Sequence, residues 1–476
     1  MYSGSYKAQC DSFHCWNVRS IRGRRWFSRS FTVGLWILTL VALMGNPAEG
    51  ESGQKARGPQ QHQSPPHLVP QQARSSAKPS EADAFYYAGV SLYSKADLDG
   101  AIEKFREALK ERPDFPEARH GLGLALAAKG SVEEAIGEFR AALDSQPDFA
   151  GIHNNLGVAL STKGDREAAI EHYRQAIRLQ PGNAAPHHNL GLELKAKGDI
   201  DGAITEYREA IRLQPNDATA HNNLGIAFQE RGQIDEAIGE YRAALRLQSG
   251  PSAGLYSLNL GSALLVKGDL DGAVGACRTA VRLQPDNTDA HYNLGLALKA
   301  KREIDGAVAA FREVLRLDAR HTTAHYDLGL LLERAGNVEE AIAEYRAMLQ
   351  QHPTHVQTHE ALASLLQQKG DLDGAIAAYR AALQLEPKIA TAHNNLGSAL
   401  RAKGLIDEAL QAYRKAMELR PNDPIAYYNL GDVLVEKQQL AEAARAYQEY
   451  MKLAEGQPDH REKIDVVQKL LAKLER

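Results

Sequence analysis

HNNLGVALSTKGDREAAIEHYRQAIRLQP, residues 153–181, holds the pattern that decides the fold. Leu156-Gly157 is followed by the turn Lys163-Gly164-Asp165, then by Ala169, Tyr173 and Pro181. On both sides of the turn, apolar and small residues recur every three or four positions, the spacing of one helix face. Glycine ends a helix without a Cβ penalty, aspartate caps the next one, and proline stops it. The stretch therefore predicts a pair of short helices joined by a tight turn.

The pair is repeated. HNNLG itself recurs at 153–157, 221–225 and 393–397. Leu-Gly recurs from Leu122-Gly123 to Leu430-Gly431, with Ala88-Gly89 and Leu362-Ala363 as imperfect copies. Twelve residues later comes an alanine in every copy, and four further on an aromatic, from Phe105 to Tyr447, broken only by Cys277. These residues carry the signature of the tetratricopeptide repeat, and the chain from 82 to about 457 resembles that family. The units start at 82, 116, 150, 184, 218, 254, 288, 322, 356, 390 and 424. The resemblance implies an all-α, right-handed superhelical solenoid of about eleven helix-turn-helix units. Residues 458–476 lack the signature but carry the stripe Ile464, Val467, Leu470, Leu471 and Leu474, the pattern of a C-terminal capping helix. The period slips by two residues at 249–253, where Ser249 stands in the proline slot, so an irregular joint is expected that bends or loosens the stack.

Upstream of the repeats the composition changes twice. Residues 31–45, FTVGLWILTLVALMG, form an apolar run too short for a typical membrane helix and preceded by RGRRWFSRS. Together these read as a signal peptide over 1–50, with an uncleaved membrane anchor as the alternative. Arg24-Arg25 with Trp26-Phe27 resembles the bacterial twin-arginine export motif. Export to the periplasm or medium is therefore expected. Residues 51–81 are rich in Gln, Pro and Ser without apolar period, which predicts a disordered linker.

The net charge is −4, and residues 1–50 hold six lysines and arginines against two acids, so the body is more acidic than the whole. Such a body does not track a phosphate backbone, which argues against nucleic acid as a partner. Three cysteines, Cys10, Cys15 and Cys277, offer no disulfide framework. Once the repeats are subtracted, no segment is large enough to house a catalytic domain, and no hydrolase, nucleotide or metalloprotease motif is present. No catalytic residue, cofactor or metal site is expected.

Two side-chain series invite a chemical reading. His153, His187, His221, His291, His325, His359 and His393 hold the fourth position of their units, where Phe85 and Tyr427 stand in the first and last. Packing is the expected role, because copies about a helix diameter apart cannot share one metal. The sixth position holds Asn155, Asn189, Asn223, Asn259, Asn293, Asn395 and Asn429. Asparagine is not favoured inside helices, and its amide matches a peptide group in donor and acceptor. The set resembles the asparagine ladder in the repeat region of O-linked N-acetylglucosamine transferases, although this chain has no transferase domain. That resemblance implies a concave groove that holds extended polypeptide by its main chain, lined also by Tyr86, Tyr87, Asn154, His188, Asn222, Tyr292, Tyr326, Asn394 and Tyr428. Bonding of each asparagine within its own repeat is the competing role. A carboxylate clamp of the co-chaperone kind is not expected: the second positions hold no cation and include Asp83, Glu117 and Asp289. The resulting reading is a non-enzymatic scaffold for polypeptide partners. The alternative is a recognition subunit for a separately encoded glycosyltransferase or envelope polysaccharide machine.

Overall fold

The computed structural model describes residues 80–474. Residues 1–79, including the expected signal peptide and most of the expected linker, lie outside it. The described residues contain 23 α-helices and no strand. They are all-α and repeat as helix pairs, as expected. The chain divides into two compact parts, 80–263 and 264–474.

The first part holds the pairs Glu81–Ser94 with Leu98–Glu111, Pro116–Lys129 with Val132–Ser145, and Ala150–Lys163 with Arg166–Leu179. Ala184–Lys197 with Ile200–Leu213 and Ala218–Glu230 with Ile234–Leu247 follow. The helix Pro251–Lys267 begins in the first part and ends in the second. The second part continues with Leu270–Leu283, then Thr288–Ala300 with Ile304–Leu317, Thr322–Arg334 with Val338–Gln351, and Val356–Lys369 with Leu372–Leu385. Ala390–Ala402 with Ile406–Leu419 and Pro424–Glu436 with Leu440–Ala454 complete the pairs, and Arg461–Leu474 packs on the last of them. Within each part, a first helix packs on its own second helix and on the second helix of the unit before.

The turn chemistry works as the sequence dictates. Gly164 takes φ +93° and ends its helix, and Asp165 accepts from the Ala168 N–H to start the next. Where the turn glycine is replaced, Ala96, Arg302 and Gln438 are held at φ near +60°, a region that L-residues seldom adopt.

The Leu-Gly and aromatic positions form one lock. A Cβ on Gly157 would lie 2.6 Å from the ring of Tyr173, and one on Gly329 2.6 Å from that of Tyr345. The missing side chain lets the ring of the second helix enter the first helix's backbone groove, so both are buried. A ring without that gap has nowhere to go, which is why the two positions recur together.

At the irregular joint the added residues are not loop. They lengthen the helix to 17 residues, against 13 or 14 in the other first helices, starting at Pro251. Proline at a helix start loses no hydrogen bond and has its φ already set. Tyr256 then enters a buried cluster with Ala218 and Ala244 and donates to Gln248 at 3.2 Å. The two-residue slip is thus taken up, at this point in the chain, as added helix.

Candidate functional site

The fourth-position histidines do more than pack. In six of the seven, Nε2–H reaches back six residues to the carbonyl that closes the preceding unit: His153 to Pro147 at 2.9 Å, His221 to Pro215 at 3.1 Å, His291 to Pro285 at 2.8 Å. His359 and His393 do the same to Pro353 and Pro387, and His325 to Ala319 at 3.2 Å. The second helix ends there with carbonyls that have no helical partner, and imidazole supplies a donor that phenylalanine lacks. The expectation of a purely packing role is corrected in this respect. The other nitrogen is used in some units: Nδ1 of His187, His221 and His325 lies 2.6, 2.6 and 2.5 Å from Glu206, Glu240 and Glu344.

His325 has acceptors at both nitrogens, a carboxylate and a carbonyl, and only the imidazolium satisfies both. The Glu344 contact raises its pKa above the ordinary histidine value, against the opposing effect of burial. A raised folded pKa stabilises the fold below the unfolded pKa, about 6.5, and the gain is lost as pH rises through the folded value. The variant His325→Tyr, which places a residue already used in this slot, is therefore expected to flatten the fall in melting temperature between pH 6 and 8.5. Parallel melting curves for both proteins across that range would contradict the assignment.

The sixth-position asparagines link neighbouring units. Nδ2 of Asn189 donates to Oδ1 of Asn154 at 3.0 Å, that of Asn259 to Asn222 at 2.8 Å, and that of Asn429 to Asn394 at 2.9 Å. Asn155 and Asn223 donate to Nε2 of His120 and His188, at 2.8 and 3.0 Å. At unit eight Asp327 keeps the link with reversed polarity, accepting from Tyr292 at 2.8 Å. Asn395 receives Asn394 at 3.5 Å, and Asn293 is half-buried on the same helix face. In six units position six bonds position five of the unit before. These links cross from one repeat to the next, beside the bonds within a repeat from Asn154 to Asn155 and from Asn394 to Asn395. Asn189 and Asn223 are 6% and 3% exposed. Removing them therefore affects packing as well as any ligand.

After one N–H is used in the link, the amides of Asn189, Asn223, Asn259 and Asn429 have a second N–H and a carbonyl beyond it, while the carbonyls of Asn155 and Asn395 also accept from Asn154 and Asn394 beside them. An N–H together with its carbonyl is complementary to one peptide group. One turn further on, at position nine, lie Val90, Leu124, Val158, Leu192 and Ile226, all half-buried. The face of the first part is therefore aliphatic and amide-rich. The second part is more polar there: Lys299 pairs with Asp327 at 2.5 Å, and Arg401 with Asp432 at 2.8 Å. Burial holds Glu333 and Glu360 above the usual carboxylate range. The tips of the buried tyrosines reach the same face, Tyr241 donating to Gln229 at 3.0 Å and Tyr447 to Asp432 at 2.7 Å.

Among the described residues, no group of three or more His, Cys, Asp or Glu side chains is arranged to hold a metal ion, and no helix is long and apolar enough to cross a membrane. Cys277 is buried, which pushes its thiol up to about 12 and leaves it protonated and unreactive at neutral pH. The sequence reading missed two residues that break the repeat: Glu193, in a slot otherwise held by small or apolar residues, and His172, opposite His153. Both were visible as substitutions in the aligned units.

The tetratricopeptide repeat model matches residues 71–116, 88–148, 120–184, 224–288 and 292–356. A TPR repeat model matches 191–230, 363–404 and 397–438, and a further tetratricopeptide repeat model matches 425–457. Among solved structures, MamA is 29% identical over 33% of this chain and 93% of its own, with a TM-score of 0.32. YrrB, a TPR protein with an unusual peptide-binding site, is 24% identical over 40% of this chain and 96% of its own, with a TM-score of 0.36. Yeast Tom70 is 16% identical over 82% of this chain and 96% of its own, with a TM-score of 0.33. No curated protein matches.

Proposed function

Because this chain belongs to the tetratricopeptide repeat family, we propose that it is a non-enzymatic scaffold that holds an extended polypeptide segment along the face of its first helices. The observation that carries the reading is the amide row itself, in which Asn189, Asn223, Asn259 and Asn429 have a donor and an acceptor beyond the bond to the neighbouring unit. Asn155, Asn189, Asn223, Asn259, Asn293, Asn395 and Asn429 contact the partner's main chain, as the likeness to the transferase ladder implies. The aliphatic position-nine side chains of the first part receive uncharged side chains of the partner.

The test separates ligand reading from packing. Asn155, on the half-buried edge of the row, and Asn259 are replaced by alanine together, leaving the buried Asn189 and Asn223 in place. Each lost hydrogen bond is worth about 1 kcal/mol, so partner capture is expected to weaken roughly tenfold or more. The helical circular dichroism should remain. Undiminished capture by the double variant sinks the ladder as a ligand reader.

The N-terminal pattern adds a location. The protein is exported, with residues 31–45 serving as signal core or as membrane tether. A C-terminally tagged full chain is expected in the envelope or periplasmic fraction, and full-length protein confined to the cytosol would refute export.

A further inference from the structure

We propose that His153 and His172 form a binding site for a divalent late transition-metal ion of the Cu²⁺ or Ni²⁺ class. The two Nδ1 atoms are 2.9 Å apart, with the rings stacked at 30° and centroids 5.2 Å apart. The pair is peculiar to the third unit. At the place of His172 the other units carry Lys104, Glu or Ala, among them Glu206, Glu240 and Glu344 opposite their own histidines.

The tautomer is set by a neighbour. A carbonyl oxygen only accepts, so the Pro147 contact at 2.9 Å fixes the proton of His153 on Nε2 and turns its Nδ1 lone pair toward His172. A ligating histidine whose other nitrogen donates to a backbone carbonyl is the usual arrangement at metal centres. In the metal-free pair, Nδ1–H of His172 donates to His153. Metal binding moves that proton to Nε2 of His172 by tautomerisation, so both lone pairs converge with no net proton release.

The spacing, set in the metal-free pair by its hydrogen bond, is compatible with one metal class without the nitrogens moving apart. Two nitrogens each ~2.0–2.1 Å from one ion are about 2.9 Å apart when they subtend a right angle, and nearer ~3.3 Å at the tetrahedral angle. A right angle suits the tetragonal or square-planar geometry of Cu²⁺ and Ni²⁺ better than tetrahedral Zn²⁺. Both rings are half-buried, which leaves water to complete the coordination. Arg140 and Glu171 act on His172 with opposite sign. Burial, then His153 and Arg140, hold the His172 pKa below its ordinary value.

The experiment uses the full chain and Cu²⁺ alone, followed by calorimetry and electron paramagnetic resonance at pH 7.5. His172→Glu and His153→Phe are the variants, because other units of this chain carry Glu and Phe at these positions and fold. The wild type is expected to bind one more equivalent than either variant, with a spectrum showing two imidazole nitrogens. Histidines elsewhere, including His62 and His67, are common to all three proteins and cancel in the difference. Equal stoichiometry and identical spectra in all three would overturn the site.

Discussion

Tyr345→Ala is expected to be among the most damaging single substitutions in the second part, costing about 3–5 kcal/mol by analogy with other large aromatic truncations in cores. Tyr345 is fully buried, and its ring fills the gap left by Gly329. Its hydroxyl also donates to Glu333 at 2.9 Å. Alanine would leave a cavity between two helices and deprive a carboxylate, already held above its usual range by burial, of its donor. Tyr345→Phe keeps the ring and removes only the hydrogen bond, a loss of about 1 kcal/mol. Repeat arrays unfold by neighbouring units, so the sensitive measurement is hydrogen exchange in Thr322–Arg334 and Val338–Gln351, alongside thermal melting. If the alanine and phenylalanine variants protect these helices equally, the ring-in-groove lock contributes little.

The second large effect concerns Glu193 and turns on which partner is removed. The side chain is 3% exposed, accepting from Ser161 at 2.5 Å and from Arg166 at 3.0 Å, while Arg166 is 43% exposed. Six other units carry alanine here: Ala125, Ala159, Ala227, Ala263, Ala297 and Ala399. Arg166→Met leaves a buried carboxylate without its cation and is expected to cost about 2 kcal/mol, below the range for fully buried pairs because the arginine is half in water. Glu193→Ala instead removes the buried charge, leaves an arginine that water can solvate, and should be near neutral or stabilising. The double variant should then resemble Glu193→Ala. Equal destabilisation by both single variants would show that Glu193 stabilises the fold outright.

How much of this was legible in the sequence depends on the range of each interaction. The helix pairs, their turns and the glycine-aromatic lock repeat within each unit, and eleven copies make them plain. The amide links join positions 35 to 37 residues apart, so residue type alone marks them without naming the partner. The histidine contacts to Pro147, Pro215 and Pro285 cross a unit boundary and depend on how the chain turns into the next helix. An aromatic slot occupied by histidine therefore read as packing until the carbonyl came into view. Glu193 and His172 are single departures from a periodic pattern, and reading for the pattern passed over them. The added residues near Pro251 read as an irregular joint because proline and glycine punctuate turns, yet proline also opens helices.

The bonding of the asparagines to the adjacent unit has a consequence for how the chain is made. Each link closes about one repeat of backbone, so the average loop to be closed in folding does not grow as units are added. Relative contact order falls with length, and folding proceeds without the long searches that a β-sandwich requires. A unit leaving the ribosome already has behind it the partner it needs, and can dock before the next is synthesised.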